Sequence, residues 1–560
     1  MARLAVLYTA DAYANGSRKM GRQQAGLGLL PALIRASRGS HFSVAAPRQE
    51  SLDELRALMR RVRPELGLHR WPLDKLDRLT GVDALLVADP TLARWAELRQ
   101  WHRQRSGAWS LIGLTHTLSS LGALEALRRI PAAPLQPWDA LICTSRCARD
   151  AVQAVWAHEA EAIARRFAGQ TAAWRRPQLP LIPLGCDVDR FAALAEQRLP
   201  ARAALRLAPQ QPVLLGVGRL ELHAKAHPGV LLQALARISL RRSPSSPRIC
   251  LLVLGTAQSK ATAKAWQQAV QHYSAWFELR LLDGHNEQLS SQAWAAADLF
   301  VSLADSLQET FGLTPVEAMA CGLPVVATDW NGYRDTVVDG VTGRLIPTSQ
   351  PGPQVPHRLA ELSLGRLRYD TFMADLMQQV VVDEDALVLA LEQLIDNREL
   401  RQRMGEAGRL RAKAHYTWSH VAAQMQDLAG ELSQRRRIGA AEAEVSPSPL
   451  SPWQEFETWA TRHHDPGARI QLHPQRFGRR VADLEQLQLY ANLSIAAEPE
   501  LRMPALQPLI SRLTALLAEH RSPLEVSIPS LQAALPAHSA ADLQHAIAWL
   551  AKIGALELPA

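Results

Sequence analysis

The stretch from Ala297 to Pro347, ADLFVSLADSLQETFGLTPVEAMACGLPVVATDWNGYRDTVVDGVTGRLIP, limits the architectures open to this chain more than any other. Leu299–Leu303 is a short apolar run of the kind that forms a buried strand. A polar loop follows, then a short helix with both ends marked. Thr314 suits the N-cap, Pro315 the first helical position, and Glu317 stands three residues after the cap. Gly322 can take the left-handed position after the last turn, and Pro324 stops continuation. Pro324–Thr328 then reads as the next strand. The loop between the first strand and the helix lies past a strand's carboxyl end and at a helix's positive end. In open α/β sheets ligands bind there, anions especially.

Two carboxylates flank that spot. Glu309 is in the loop and Glu317 is in the first helical turn, with seven residues between them. Phe311, Gly312 and Leu313 offer backbone N–H groups, and glycine allows close approach. The run ETFGLTPVEAMACGLPVV, continued through Gly332, Asp335, Gly340 and Gly343, resembles the donor-binding motif of the retaining glycosyltransferases of family 4. That resemblance spans about Arg3 to Ala429. It implies the two-domain GT-B fold, two Rossmann-like doubly wound α/β domains facing a cleft. It further implies that Glu309 contacts the donor sugar and Glu317 the nucleotide ribose.

The remainder of the chain alternates strand-like and helical runs, as a parallel doubly wound sheet requires. Strand candidates in the first third are Leu4–Tyr8, Phe42–Ala46, Ala84–Ala88, Ser110–Leu114 and Ala140–Thr144. The opening MARLAVLYTA reads as the first of these strands rather than as a signal peptide. A loop rich in Gly, Asn and Ser follows, and Gly26 and Gly28 lead into a helix. They suit either an acceptor- and nucleotide-facing loop, where the family resemblance puts them, or a helix start that needs tight packing. His116 follows the strand Ser110–Leu114 and faces the cleft edge; in the resembling family a His here lies beside the transferred sugar. Ser145 is a plausible N-cap. LPLIPLGCDVDRF resembles the family's junction between domains.

The second domain opens with the strand Val213–Val217, ending in Gly218 and Arg219. Lys225 follows in a short loop. Two cations beside helix N–H groups can neutralise a diphosphate. In the resembling family the Lys stands five residues after the Arg and precedes a Gly. Here it stands six residues on, with Ala226-His227-Pro228 in place of that Gly, and His223 or His227 is positioned to share the task. Further strands are Cys250–Leu254 and Phe277–Leu282; no residue there selects among UDP, GDP and ADP. Helices are expected over Asp383–Ile395 and Glu399–Tyr416, after an insertion that begins at Thr348.

The domain expectation is 1–195 for the acceptor half and 196–434 for the nucleotide-sugar donor half. Residues 435–452 form a linker, and 453–560 a mainly helical, winged-helix-like extension. Few cations mark its last helices, which argues for packing or partner contact over nucleic acid. His463, His464, Asp465 and His473 are too irregularly spaced for a metal site.

Composition narrows function. The five cysteines are odd in number and mostly in apolar contexts, which fits reduced thiols in a cytoplasmic protein. The net charge of +8 comes largely from arginines in the first third. Solvated helix faces account for that charge, as would an anionic acceptor or peripheral contact with an anionic membrane. The reading is an α/β retaining hexosyltransferase acting on a nucleotide-diphosphate sugar and a glycan, lipid-linked or small-molecule acceptor hydroxyl, in polysaccharide or glycolipid biosynthesis. The candidate catalytic set is His116, Arg219, Lys225 and Glu309. The donor-binding set adds Phe311, Gly312, Leu313 and Glu317. No cofactor or metal is expected, because the basic residues take a cation's place. The alternatives are a nucleotide-sugar epimerase or hydrolase, and a catalytically silent protein that binds a partner through its C-terminal module.

Overall fold

The computed structural model describes residues 3–13, 21–47, 52–73, 81–103, 107–167, 174–221, 225–353, 358–439, 452–460, 463, 465, 467–486, 503–520 and 522–558. The chain divides into two compact units, Met1–Pro449 and Leu450–Ala560.

The first unit holds two six-stranded sheets. One comprises β1 (Leu4–Leu7), β2 (His41–Ala46), β3 (Gly67–Pro72), β4 (Ala84–Leu86), β5 (Ser110–Leu114) and β6 (Ala140–Ile142), in the order β3-β2-β1-β4-β5-β6. The other comprises β7 (Val213–Val217), β8 (Cys250–Gly255), β9 (Glu278–Asp283), β10 (Leu299–Ser302), β11 (Val325–Thr328) and β12 (Gly343–Ile346), in the order β12-β11-β10-β7-β8-β9. Every pairing within both sheets is parallel. In each, the first strand lies inside the order with neighbours from both directions. That creates a switch point at the carboxyl edge. Strands with both faces covered must be apolar throughout, and Val213, Leu214, Leu215, Phe300, Val325 and Val326 are fully buried.

Buried polar groups fasten the first sheet. Arg99 and Asp139 are both wholly buried and pair through two hydrogen bonds of 2.7 and 2.8 Å. Asp139 also accepts the N–H groups of Leu111 and Gln136. Arg99 is one of the arginines of the first third, so part of that basic character is internal structure rather than a surface. In the second sheet Arg198 and Arg202 pair with Asp298 at the base of β10.

The helix Trp418–Gly439 returns to the first half, packing on the helix Gly21–Ala36 and beside β4 and β5. Ser433 donates to Asp83 at 2.5 Å, and Arg436 bonds the Asp83 carbonyl and Ser110. The linker expected from Arg435 therefore starts later. Gly439 ends this helix against Trp138, where a side chain would collide with the indole. Residues 440–451 lie outside the described set.

The insertion after Pro347 forms a two-residue antiparallel pair, Thr348–Ser349 with Val381–Val382, around the helices Leu359–Ser363 and Tyr369–Met377. Leu367, Phe372 and Met373 make a small core there with Leu307 of the candidate loop.

The second unit pairs the strand Arg469–Leu472 with Leu524–Ser527, and Gln471 also bridges Glu557. The helices Ile528–Ala534 and Ala540–Lys552 follow one another as a helix–turn–helix, the second opened by a capping box between Ser539 and Asp542. Its core includes Ile470, Leu472, Leu509, Leu513, Leu543, Ile547 and Leu550. His464 lies outside the described residues. All five cysteines are free thiols. Among the described residues no helix is long and apolar enough to cross a membrane.

Candidate functional site

A cavity of about 150 Å³ opens at the carboxyl edge of the second sheet, beneath the ends of β7 and β10. Arg219, Lys225, His227, Glu309, Thr314 and Tyr333 line its polar side. Lys225 donates to Glu309 Oε2 at 3.0 Å, with the carboxylate mostly shielded from water. The loop one residue longer than the resembling family's thus still brings its lysine to the carboxylate. The Arg219 side chain makes no ion pair with the described residues. His223 lies outside them. An ion pair that leaves one guanidinium over suits an anionic ligand carrying more than one negative oxygen.

The loop carrying Glu309 is held from below. Thr328 donates to the Ala304 carbonyl at 2.6 Å, and the Trp330 indole to the Ser306 carbonyl at 3.0 Å. Asp305 is buried; its Oδ2 accepts the His227 N–H at 3.2 Å, and its Oδ1 has no partner among the described residues. Burial pushes this carboxyl up to about 6, against the opposing pull of the His227 N–H.

The helix after the loop is Leu313–Ala320, and its N-cap is Gly312 at φ +90° with no side-chain cap. The expected cap at Thr314 and its capping box with Glu317 are not formed. Gly312 turns in the left-handed region, so the helix begins before Thr314. The freed Thr314 side chain reaches the Tyr333 phenol. Tyr333 lies directly under Gly312, where a Cβ would fall 2.2 Å from its ring. Its hydroxyl is 2.7 Å from Ser302 Oγ, and burial followed by the nearby Glu309 pushes the phenol up. Tyr333 was legible only as part of the motif, since its role depends on contact with a glycine far back in the chain.

Glu317 is half-buried, outside the cavity lining, near Cys186, Cys321 and Arg190. Burial raises its carboxyl to about 7, partly countered by Arg190. Phe311 is core, 2% exposed and edge-on to Tyr416, so only its backbone is available.

The first half meets this loop. The Thr310 hydroxyl donates to the His116 carbonyl, which sets His116 one residue from Glu309 in the contact chain. Arg146, after the Ser145 N-cap, donates its backbone N–H to Asp335 Oδ2 at 2.6 Å and adds a side-chain bond to the same carboxylate. Asp335 was visible as a motif residue but not as a tie between halves. Gly26 and Gly28 sit within the helix Gly21–Ala36, not in a ligand loop. A Cβ on Gly26 would lie 2.1 Å from the Ala12 carbonyl oxygen, and one on Gly28 2.1 Å from the Trp418 indole. The packing alternative for these glycines is the one the structure displays.

Residues 197–355 match the model of the family described as glycosyl transferases group 1, and residues 371–427 match a glycosyl transferase-like model. A D-inositol 3-phosphate glycosyltransferase of Xylanimonas cellulosilytica is 28% identical over 351 residues, covering 61% of this chain and 70% of that protein. The protein of the same name from Nocardia farcinica is 32% identical over 260 residues, covering 44% of this chain; the match spans only 46% of that relative's length. Among solved structures, Anabaena HepE in complex with UDP superposes with a TM-score of 0.51 at 16% identity, over 77% of this chain and 100% of that one, a likeness of fold. With its paired parallel sheets the chain has the GT-B fold, and residues 197–355 within it are similar to the glycosyl transferases group 1 family.

Proposed function

We propose that this protein is a retaining glycosyltransferase that moves a hexose from a nucleotide-diphosphate sugar to an acceptor hydroxyl. The observation that carries this reading is the convergence of Arg219 with the Lys225–Glu309 pair in one cavity at the sheet's carboxyl edge. Arg219 and Lys225 bind the diphosphate, Glu309 accepts from donor-sugar hydroxyls, and Glu317 accepts from the ribose. His116 stands beside the sugar from the first half. The N–H groups of Gly312 and Leu313 add positive potential at the helix start.

Chemically, the bond from the anomeric carbon to the phosphate oxygen breaks and a bond to the acceptor oxygen forms on the same face. The acceptor proton passes to the departing phosphate oxygen. Charge therefore grows on the diphosphate, where the cations stand, and stabilising it supplies most of the acceleration. Glu309 is engaged by an ammonium at 3.0 Å, which disfavours a water-activating role for it. Two cations at the phosphates supply the charge a divalent ion would otherwise bring, so a chelator is expected to leave turnover unchanged.

The similarity to D-inositol 3-phosphate glycosyltransferases makes an inositol phosphate the first acceptor to try, before glycan and lipid-linked hydroxyls. The test is a thermal-shift and calorimetric screen of UDP, GDP, ADP and their sugar conjugates without added metal. One base should stabilise the protein, since ligand binding to the native state raises its melting temperature. Arg219→Ala should weaken that nucleoside diphosphate by about tenfold or more, on the scale of a lost charge-assisted hydrogen bond. Silence with all of them would overturn the donor reading, and sugar release to water without an acceptor would favour a hydrolase.

A further inference from the structure

Resting on the donor reading above, we propose that His227 is a third phosphate-binding group, donating from Nε2, and that Asp305 is its positioning residue. His227 belongs to Ala226-His227-Pro228, which stands in place of the resembling motif's glycine, and it lines the same cavity as Arg219 and Lys225. Two contacts fix it. Its backbone N–H donates to Asp305 Oδ2 at 3.2 Å, and its ring Nδ1 accepts the Gly229 N–H at 3.1 Å. A ring nitrogen that accepts carries no proton, so the proton is on Nε2 and that nitrogen is a donor. Gly229 opens the helix Gly229–Arg241, so the ring also covers one of the helix's otherwise unpaired N–H groups.

The two contacts divide the work. Asp305 anchors the backbone of the inserted turn, and Gly229 orients the ring. Asp305 is buried, with Oδ2 taking the His227 N–H and Oδ1 unpartnered among the described residues. A carboxylate so poorly compensated costs stability where it stands. Such a residue is accounted for if it holds a functional turn in place. The turn is also the one that carries Lys225, so Asp305 steadies both phosphate contacts at once.

The experiment combines ring ¹⁵N NMR of the full chain with calorimetry, using whichever of UDP, GDP or ADP binds the wild type. The free protein should show His227 as the Nε2–H tautomer, and the diphosphate should shift that resonance. His227→Phe, which keeps an aromatic ring without a donor, should lose about tenfold in affinity. Asp305→Ala should lose a similar factor and speed hydrogen exchange of residues 225–229, whereas Asp305→Asn, which keeps an acceptor for the N–H, should retain both. A merely structural Asp305 would alter exchange across the domain and leave the affinity of the folded fraction unchanged. An Nδ1–H tautomer, or wild-type affinity in His227→Phe, overturns the His227 assignment while leaving the donor reading intact. Wild-type affinity in Asp305→Ala overturns the positioning role. No binding by the wild type to any of the three overturns the donor reading itself, and the phosphate role of His227 with it.

Discussion

Glu309 and Glu317 were read from one motif, yet they occupy opposite electrostatic surroundings. Glu309 is held by Lys225 at 3.0 Å. Glu309→Ala removes the sugar acceptor and leaves an unpaired ammonium, so transfer should fall by about 100-fold or more, the size seen when one transition-state contact is lost. Steady-state kinetics beside an unchanged circular dichroism spectrum check this, and near-wild-type turnover would remove Glu309 from the site. Glu317 has its carboxyl raised by burial to about 7 from 4.5. The folded state thus holds a proton through a range in which the unfolded chain has lost it. Stability from this group is complete below about pH 4.5 and is lost as pH rises toward 7. Glu317→Gln should therefore gain on the wild type across that window, by on the order of 3 kcal/mol. Urea unfolding between pH 4.5 and 8 measures it; a pH-independent gap between the two proteins would contradict the assignment. Both residues were legible because their types and spacing are local. The Thr310 bond to the His116 carbonyl was not, because it joins positions far apart in the chain.

At the scale of elements, what was legible followed burial. Ser110–Leu114 and Val213–Val217 appear with the bounds their apolar runs suggest. Within the two six-stranded sheets the strands not anticipated are β3 and β12, both sheet edges, one of them GLHRWP and the other GRLI. An edge strand needs no continuous apolar signal, so its sequence carries little to read. The helix Leu313–Ala320 shows a different failure. Its cap residues were plausible, but a left-handed Gly312 over the Tyr333 ring overrode them. Tertiary contact likewise decides the two glycines before Leu29. Gly28 and Gly185 both lie against Trp418, where added Cβ atoms would fall 2.1 and 2.4 Å from the indole. Gly28→Ala should displace that ring and cost about 1 to 3 kcal/mol, the usual penalty of overpacking. A denaturant midpoint equal to the wild type would show that the helix Gly21–Ala36 can move away freely. If loss of ligand affinity preceded any loss of stability, the glycine would belong to the site after all.

The whole molecule sets a boundary for a minimal enzyme. Arg436 reaches the Asp83 carbonyl and Ser110, and Gly439 seats against Trp138, so the returning helix is part of the first half's structure. Asp83 loses a hydroxyl and two guanidinium neighbours, Arg436 and Arg437, if this end is removed. The composition of Arg435 to Pro452 suggests a linker, and only the packing reveals that Arg436 is buried. Cutting after Gly439 should leave a folded protein whose nucleoside diphosphate affinity matches the full chain, because Arg219, Lys225, Glu309 and their supports all lie before that point. Cutting after Arg436 removes the Gly439 contact with Trp138 and the Arg437 contact with Asp83, and should lower the midpoint of unfolding. The residues from Leu450 have a core of their own, built on Ile470, Leu513, Leu543 and Leu550, and should fold when expressed separately. Calorimetry on the two truncations distinguishes the outcomes. If the longer one is insoluble, the C-terminal unit completes the fold of the first. If it is folded but has lost donor affinity, that unit contributes to the site.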